Sequence, residues 1–229
     1  MQLTIAFPNA IRADRMDEEL AEKMAAAGTR FSSIAIETAS FRLQKLIQKN
    51  LDLEKAFNTI ELFARVGIVT RGFFMMGFPT ETESEVIETI EFAKRSQLCG
   101  ATFFTVVYYP GTNLYHLAQS CGYFKGRKFE IQRDYVQVSD GPYEFSLDRL
   151  IELKKKAIFE FAFTKERVTN ALEIMPPYFS PREIDGLFMA YVVSSQASID
   201  DVRDEEVRKL LNRHFVIAER FSKRSEFYV

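Results

Sequence analysis

Tryptophan is absent from this chain, and cysteine and histidine occur only twice each. Cys99 and Cys121 are too few for a disulfide framework and wrongly spaced for a zinc or iron–sulfur ligand set, so both read as buried thiols. His116 and His214 have no companion at metal-ligand spacing and suit helix-surface or capping roles; no metal ligand set is expected. No apolar run approaches the roughly 18 residues of a membrane span, and no secretory leader opens the chain, so a cytoplasmic protein is expected. A formal charge of −2 and a pI near 5.9 give no global basic field, and nucleic acid is not an expected partner.

Hydrophobic residues, by contrast, make up 47% of the 229 positions, and 22 of them are phenylalanine, enough for a packed and strongly aromatic core. The stretch Gly67 to Glu85, GIVTRGFFMMGFPTETESE, reads as strand, tight turn and helix. Its run Ile68 to Met76 is short, branched and aromatic, as suits a parallel strand covered on both faces. Gly77 and Pro79 close it, and Thr82 with Glu85 forms a capping box that starts a helix. Such junctions lie at the carboxyl edge of a parallel sheet, where α/β proteins hold ligands, and Gly77 would let backbone approach a bound group closely. Gly-x-Pro also serves simply to end a strand.

The same pattern recurs four times. Strands are expected at Leu3 to Phe7, Phe31 to Ile36, Ile68 to Met76 and Ala101 to Tyr108. Between them lie helices capped by Asp14, Ser40, Asp52 and Thr82, and Thr112 or Asn113 caps a fifth, which Gly122 closes. Alternation with helical crossovers implies a parallel sheet, and a closed barrel of this kind needs about eight units. The expected fold is therefore α/β: an incomplete, partial TIM-like β/α barrel of about four strands over residues 1–124, a connector over 125–145, and a helical C-terminal region over 146–229. The connector is polar, with one short strand near Tyr135 to Val138. The C-terminal region should hold a long helix capped by Ser146 that stops before Pro176, a second started by Ser180, Pro181 and Glu183, and a third carrying Val202, Val207, Leu210, Leu211, Phe215 and Ala218. The first strand would be an open edge, apolar and without Lys or Pro inside it, and needs a covering segment.

Few side chains stand out chemically. Glu37 directly follows an apolar strand at the ligand-binding edge, where a carboxylate can accept two ribose hydroxyls; position alone equally allows a solvated loop acid. Arg12 and Arg71 can each pair with a carboxylate through the guanidinium fork, and Arg71, inside a strand, needs a partner. The run Lys154 to Lys156 reads as a solvated helix face.

The succession IRADRMDEEL, SSIAIETAS, RGFFMMGFPTETESEVIETIEFAK and TFFTVVYYPGTNLYHLA resembles the second half of a radical S-adenosylmethionine enzyme. The subgroup it is most similar to carries an N-terminal cobalamin-binding domain, the magnesium-protoporphyrin cyclase-like iron–sulfur oxidoreductases. That resemblance, over roughly Leu3 to Gly122, implies a six-stranded partial barrel and a [4Fe–4S] cluster, held by a C-x-x-x-C-x-x-C loop, that reductively cleaves S-adenosylmethionine. It implies that Glu37 holds the ribose, that Met76, Gly77 and Pro79 with Tyr108, Pro110 and Gly111 frame the adenine, and that Arg12 approaches the methionine carboxylate. The cluster loop has no counterpart in this sequence, and the family's strand-end G-I-E-S-G-S is here Ala35 to Ser40, without its glycines. The chain is thus expected to be the C-terminal portion of a larger enzyme acting on a small molecule, inactive alone. Its first strand would be covered by the missing N-terminal half, by a partner chain or by a second copy pairing through the open edge. The alternative is a non-catalytic half-barrel that docks on a partner; an unrelated β/α enzyme holding phosphate at helix N-termini is a third reading.

Overall fold

The computed structural model describes residues 3–122, 146–175, 180–195 and 201–214. They fall into two units, Met1–Lys154 and Lys155–Val229. In the first, the order is β1 (Ile5–Ile11), α1 (Glu18–Ala26), β2 (Thr29–Glu37), α2 (Phe41–Leu46), α3 (Leu53–Arg65), β3 (Val69–Met76), α4 (Glu83–Arg95), β4 (Gly100–Thr105) and α5 (Asn113–Ser120). The four strands form one parallel sheet in the order β1-β2-β3-β4. This is the α/β, partial-barrel arrangement expected, with helices alone described beyond residue 146.

Local chemistry explains most boundaries. Ser40, Asp52, Thr82 and Thr112 each accept a backbone N–H with the side chain at the start of a helix, and the Thr82–Glu85 capping box is complete. Asp14 is an exception: α1 is capped by Asp17, while Asp14 sits in a 3-10 turn (Ala13–Arg15) with its carboxylate taken by Arg12. β1 also differs from expectation, running through Pro8 to Ile11. Proline is tolerated because this is the edge strand, and the register slips between Phe7 and Ile11, where Ala10 takes φ 72°. β4 ends at Thr105, short of Tyr108, because the chain then turns inward: Val106 and Tyr108 join Leu43, Phe78 and Ala118 in a buried cluster.

The sheet is covered unequally. One face, bearing Ile34, Ile36, Phe74, Met76, Ala101 and Phe103, is fully buried. Phe74 is its centre, stacked on Phe103 at 5.1 Å and meeting the α4 residue Phe92 edge-on at 6.4 Å. Burying such a ring is worth about 2–3 kcal/mol. The opposite face, with Phe31, Arg71, Phe73, Met75 and Phe104, is half-buried or exposed, so β3 is not shielded on both sides as its apolar run suggests. Four parallel strands do not close upon themselves, and this face keeps its access to solvent. The run Lys154 to Lys156 is not uniformly solvated either: Lys154 is half-buried, its Nζ lies 3.3 Å from Thr105 Oγ1, and desolvation lowers its pKa.

α6 (Leu147–Ala162), capped by Ser146, leads into the second unit, which also contains α7 (Lys165–Thr169), a π-turn at Asn170–Ile174, α8 (Pro181–Ser195) and α9 (Glu205–His214). The single long helix expected before Pro176 is broken at Phe163–Thr164, because Thr164 caps a new helix by accepting the Arg167 N–H. Ser180 and Glu183 form their capping box. Phe161, Phe163, Phe188 and Tyr191 make the aromatic core here, with the Arg167 guanidinium 4.8 Å from the Phe161 ring. Lys165 pairs with Glu206 to tie α7 to α9. The strand expected near Tyr135 to Val138, and Phe215 and Ala218, lie outside the described residues.

Candidate functional site

Parallel pairing brings the carboxyl ends of all four strands to one edge, and the loops beyond them carry Arg12, Glu37, Gly77 to Pro79, and Tyr108 to Gly111. Glu37 closes β2 with φ 66°, a left-handed conformation uncommon outside glycine. Thr38 N–H turns back to the Ile36 carbonyl at 3.0 Å, and the buried amide of Gln44 donates to the Ile36 and Thr38 carbonyls, both at 2.7 Å. A neighbour thus brackets Glu37 and holds it in a backbone conformation it would not adopt alone, as happens where strain serves a site. Its carboxylate pairs with Lys49 at 2.8 Å, each side chain about one-fifth exposed.

Arg12 lies close by through the same loop. Its Nε and Nη2 grip Asp14 at 2.8 and 3.0 Å, and Nη2 also donates to the Asn50 carbonyl at 3.0 Å. The α2–α3 loop therefore receives both groups on consecutive residues, Lys49 and Asn50, with Gln48 and Asn50 themselves at positive φ. Asp14 is held below the usual carboxylate range: burial opposes ionisation, but Arg12 and the Asp52 amide outweigh it.

The β3 and β4 loops are joined directly. Tyr108, buried, donates its hydroxyl to the Gly77 carbonyl at 2.5 Å, and Gly77 takes φ 94°. Glu81, which sequence reasoning passed over, is fully buried beneath this turn. Its Oε2 accepts the N–H groups of Gly77 at 2.5 Å and Phe78 at 3.1 Å, while Oε1 has no partner among the described residues. Desolvation pushes its pKa up to about 8, against the pull of the two amides. Glu85, one turn on, goes the other way. Burial resists, but Arg42, Ser40 and Thr82 hold its pKa down to about 2. Met76 and Pro79 are buried, whereas Pro110 and Gly111, the latter at φ 85°, are exposed. Arg71 stands apart: it lies five positions before Met76, level with Ser33 and Gly100, between the rings of Phe31 and Phe73. The signal that would have found Glu81 is an acid four residues beyond the strand-closing glycine, within reach of amides that the ladder leaves unbonded.

A model of the Radical SAM superfamily matches residues 7–93, from β1 to the last turn of α4. Over these residues the chain is similar to that superfamily. It is 26% identical over 192 residues to an uncharacterized methyltransferase of Pyrococcus horikoshii, covering 82% of this chain and 41% of the relative. It is 27% identical over 180 residues to the cytidylyl-2-hydroxyethylphosphonate methyltransferase of Streptomyces wedmorensis, covering 72% and 34%. An uncharacterized protein of Methanocaldococcus jannaschii is 32% identical over 89 residues, 38% of this chain and 19% of that one. The chain therefore spans well under half the length of these relatives.

The superfamily matched over residues 7–93 implies S-adenosylmethionine and a [4Fe–4S] cluster. The described residues do not fit the cluster: no three His, Cys, Asp or Glu side chains among them converge as a ligand set. Cys99 precedes β4, its N–H bonded to the Thr70 carbonyl, and Cys121 ends α5. A strained, partly exposed carboxylate at Glu37 and a buried glycine turn at Gly77 on one sheet edge are compatible with the adenosyl half of the cosubstrate. Among the described residues no helix is long and apolar enough to cross a membrane.

Proposed function

We propose that this chain supplies the adenosyl-binding part of a larger radical S-adenosylmethionine enzyme and does not turn over alone. The observation that carries this is Glu37, bracketed by Gln44 in a left-handed conformation at the carboxyl edge of the sheet. Ribose hydroxyls would take the carboxylate from Lys49, the Gly77 and Tyr108 turns would flank the base, and the iron ligands would come from a segment that also covers β1. The names of two relatives support methyl transfer to a small molecule in place of the oxidoreduction that the resemblance suggested. Cobalamin use by the full-length enzyme belongs to the same proposal and rests on that resemblance.

Calorimetric titration of this chain with S-adenosylhomocysteine tests the reading. Wild type should bind, and Glu37→Gln should lose at least about tenfold in affinity, the usual scale for a charge-assisted hydrogen bond. Equal binding by both, or none by wild type, would sink it. A stoichiometric cluster on this chain after addition of iron and sulfide would contradict the claim of inactivity.

A second reading has its own support. Glu37 and Arg12 are each already paired, and Phe7 in β1 and Leu3 just before it are exposed at 37% and 57%, as suits a module that docks through its edge. A monodisperse monomer in sedimentation, with adenosyl binding intact, would remove it.

A further inference from the structure

We propose that Glu81 and Tyr108 are positioning residues that together hold the Gly77 peptide in the single orientation in which the β3–α4 turn receives an adenine ring. The proposal rests on the adenosyl-binding reading above and names residues that the sequence resemblance left out of the site or assigned to direct contact. Gly77 is gripped on both sides: Glu81 Oε2 takes its N–H at 2.5 Å, and Tyr108 Oη donates to its C=O at 2.5 Å. Glu81 Oε2 takes the Phe78 N–H as well, and the Glu81 N–H returns to the Phe78 carbonyl at 3.1 Å. Every backbone polar group of Gly77 and Phe78 is therefore satisfied inside the protein. This turn meets a ligand by shape and apolar contact, and its shape depends on two side chains drawn from different loops.

The clamp has a weak point. Glu81 is completely buried and its Oε1 has no partner among the described residues. The charged groups that act on it are Glu85 of α4, which repels, and Arg42 of α2, which attracts but is already bonded to Glu85; Tyr108 faces the same glycine from the β4–α5 loop. A neutral Glu81 carries its proton on Oε1 and leaves Oε2 to the amides; an ionised one is a buried charge without a counter-ion, which the turn can relieve only by opening to water. Adenosyl affinity is thus tied to the proton on Glu81, through the buried Oε1 and the two amides held by Oε2. Desolvation pushes the pKa of this carboxyl up to about 8.

The experiment follows two readouts on the full chain between pH 6 and 9.5. Titration with S-adenosylhomocysteine should show wild-type affinity level to about pH 8 and then falling up to tenfold per unit, one proton being lost. Glu81→Gln, which keeps an acceptor for the amides and no charge, should bind within about threefold of wild type at pH 7 and stay level throughout. Tyr108→Phe should bind several-fold more weakly at every pH, since one buried hydrogen bond is lost. Amide nitrogen–proton spectra read the clamp without ligand: the Gly77 and Phe78 signals of wild type should titrate near pH 8, and those of Glu81→Gln should not. Identical affinity profiles for wild type and Glu81→Gln overturn the proposal, as does an amide transition that affinity fails to follow. A wild type that binds no adenosyl ligand at any pH overturns the adenosyl reading and the positioning role with it; the amide titration then tells whether the clamp itself exists.

Discussion

Arg42 grips Glu85 with two nitrogens at once, Nε to Oε1 at 2.9 Å and Nη2 to Oε2 at 2.6 Å, across 43 residues of chain. The same guanidinium bonds the Thr80 carbonyl at 2.7 Å and its hydroxyl at 2.9 Å, while Glu85 also accepts from Ser40 at 2.6 Å. The N-termini of α2 and α4 are thereby fastened to each other and to the loop that follows β3. Replacing Arg42 with Ala should destabilise the chain by about 1–2 kcal/mol, the low side for charge-assisted bonds because Arg42 is half exposed. Lysine should recover less than half of that, having no fork to match the carboxylate. Urea midpoints for the three proteins give the answer, and indistinguishable midpoints would show the clasp to be energetically idle.

Glu81 and Glu85 should make stability depend on pH in opposite senses. The folded Glu85 pKa, near 2, lies below its unfolded value, so its contribution is present above about pH 4.5 and lost as pH falls toward 2. The folded Glu81 pKa, near 8, lies above its unfolded value, so its contribution is full below about pH 4.5 and is lost as pH rises through 8. Stability from this pair should peak in the mildly acidic range. Glu81→Gln should flatten the alkaline limb, worth on the order of a few kcal/mol between pH 5 and 8. Denaturant midpoints at unit pH intervals test this; a wild-type limb that persists unchanged in the variant would assign it to another group.

Gly72 is a packing glycine rather than a turn glycine. A Cβ there would lie 2.6 Å from Leu98 Cδ1 and 2.6 Å from Phe74 Cε2 on the buried face of β3. Gly72→Ala should therefore cost about 1–3 kcal/mol through displaced rings. Gly111 offers a contrast, with open space around it but φ 85°, so Gly111→Ala should cost about 1 kcal/mol through backbone strain alone. Thermal unfolding should rank Gly72→Ala as the less stable variant, and the reverse order would mean the Phe74 ring yields without penalty.

What could be read from the sequence was largely what neighbours along the chain decide. The caps at Ser40, Asp52, Thr82 and Ser180 depend on three or four consecutive residues, and each formed as read. Where two groups compete, local reading failed. Asp14 and Asp17 both stand before α1, and Arg12 claimed the first. Thr164 divides a helix whose apolar period continues past it, so periodicity hid the break. Of the site, the strand-end positions of Glu37 and Gly77 were legible because parallel topology dictates the edge, whereas Tyr108, read as the end of the fourth strand, lies three residues beyond it. Lys49, Gln44 and Glu81 were not, because each acts on a group that only folding brings near: Gln44 on the Ile36 carbonyl, and Glu81 on amides freed by the end of the β3 ladder.

Pro8 gives the outermost strand an asymmetric welcome. It has no N–H to offer, and the irregularity around Ala10 breaks the regular spacing of whatever acceptors and donors follow. A polypeptide that zips onto this border finds an even track only at Ala6 and Phe7, and must then swing away or bend in sympathy. The border thus rewards a short, angled guest over a long flat one, which favours an orderly curved continuation of the sheet and discourages stacking of identical molecules into fibres.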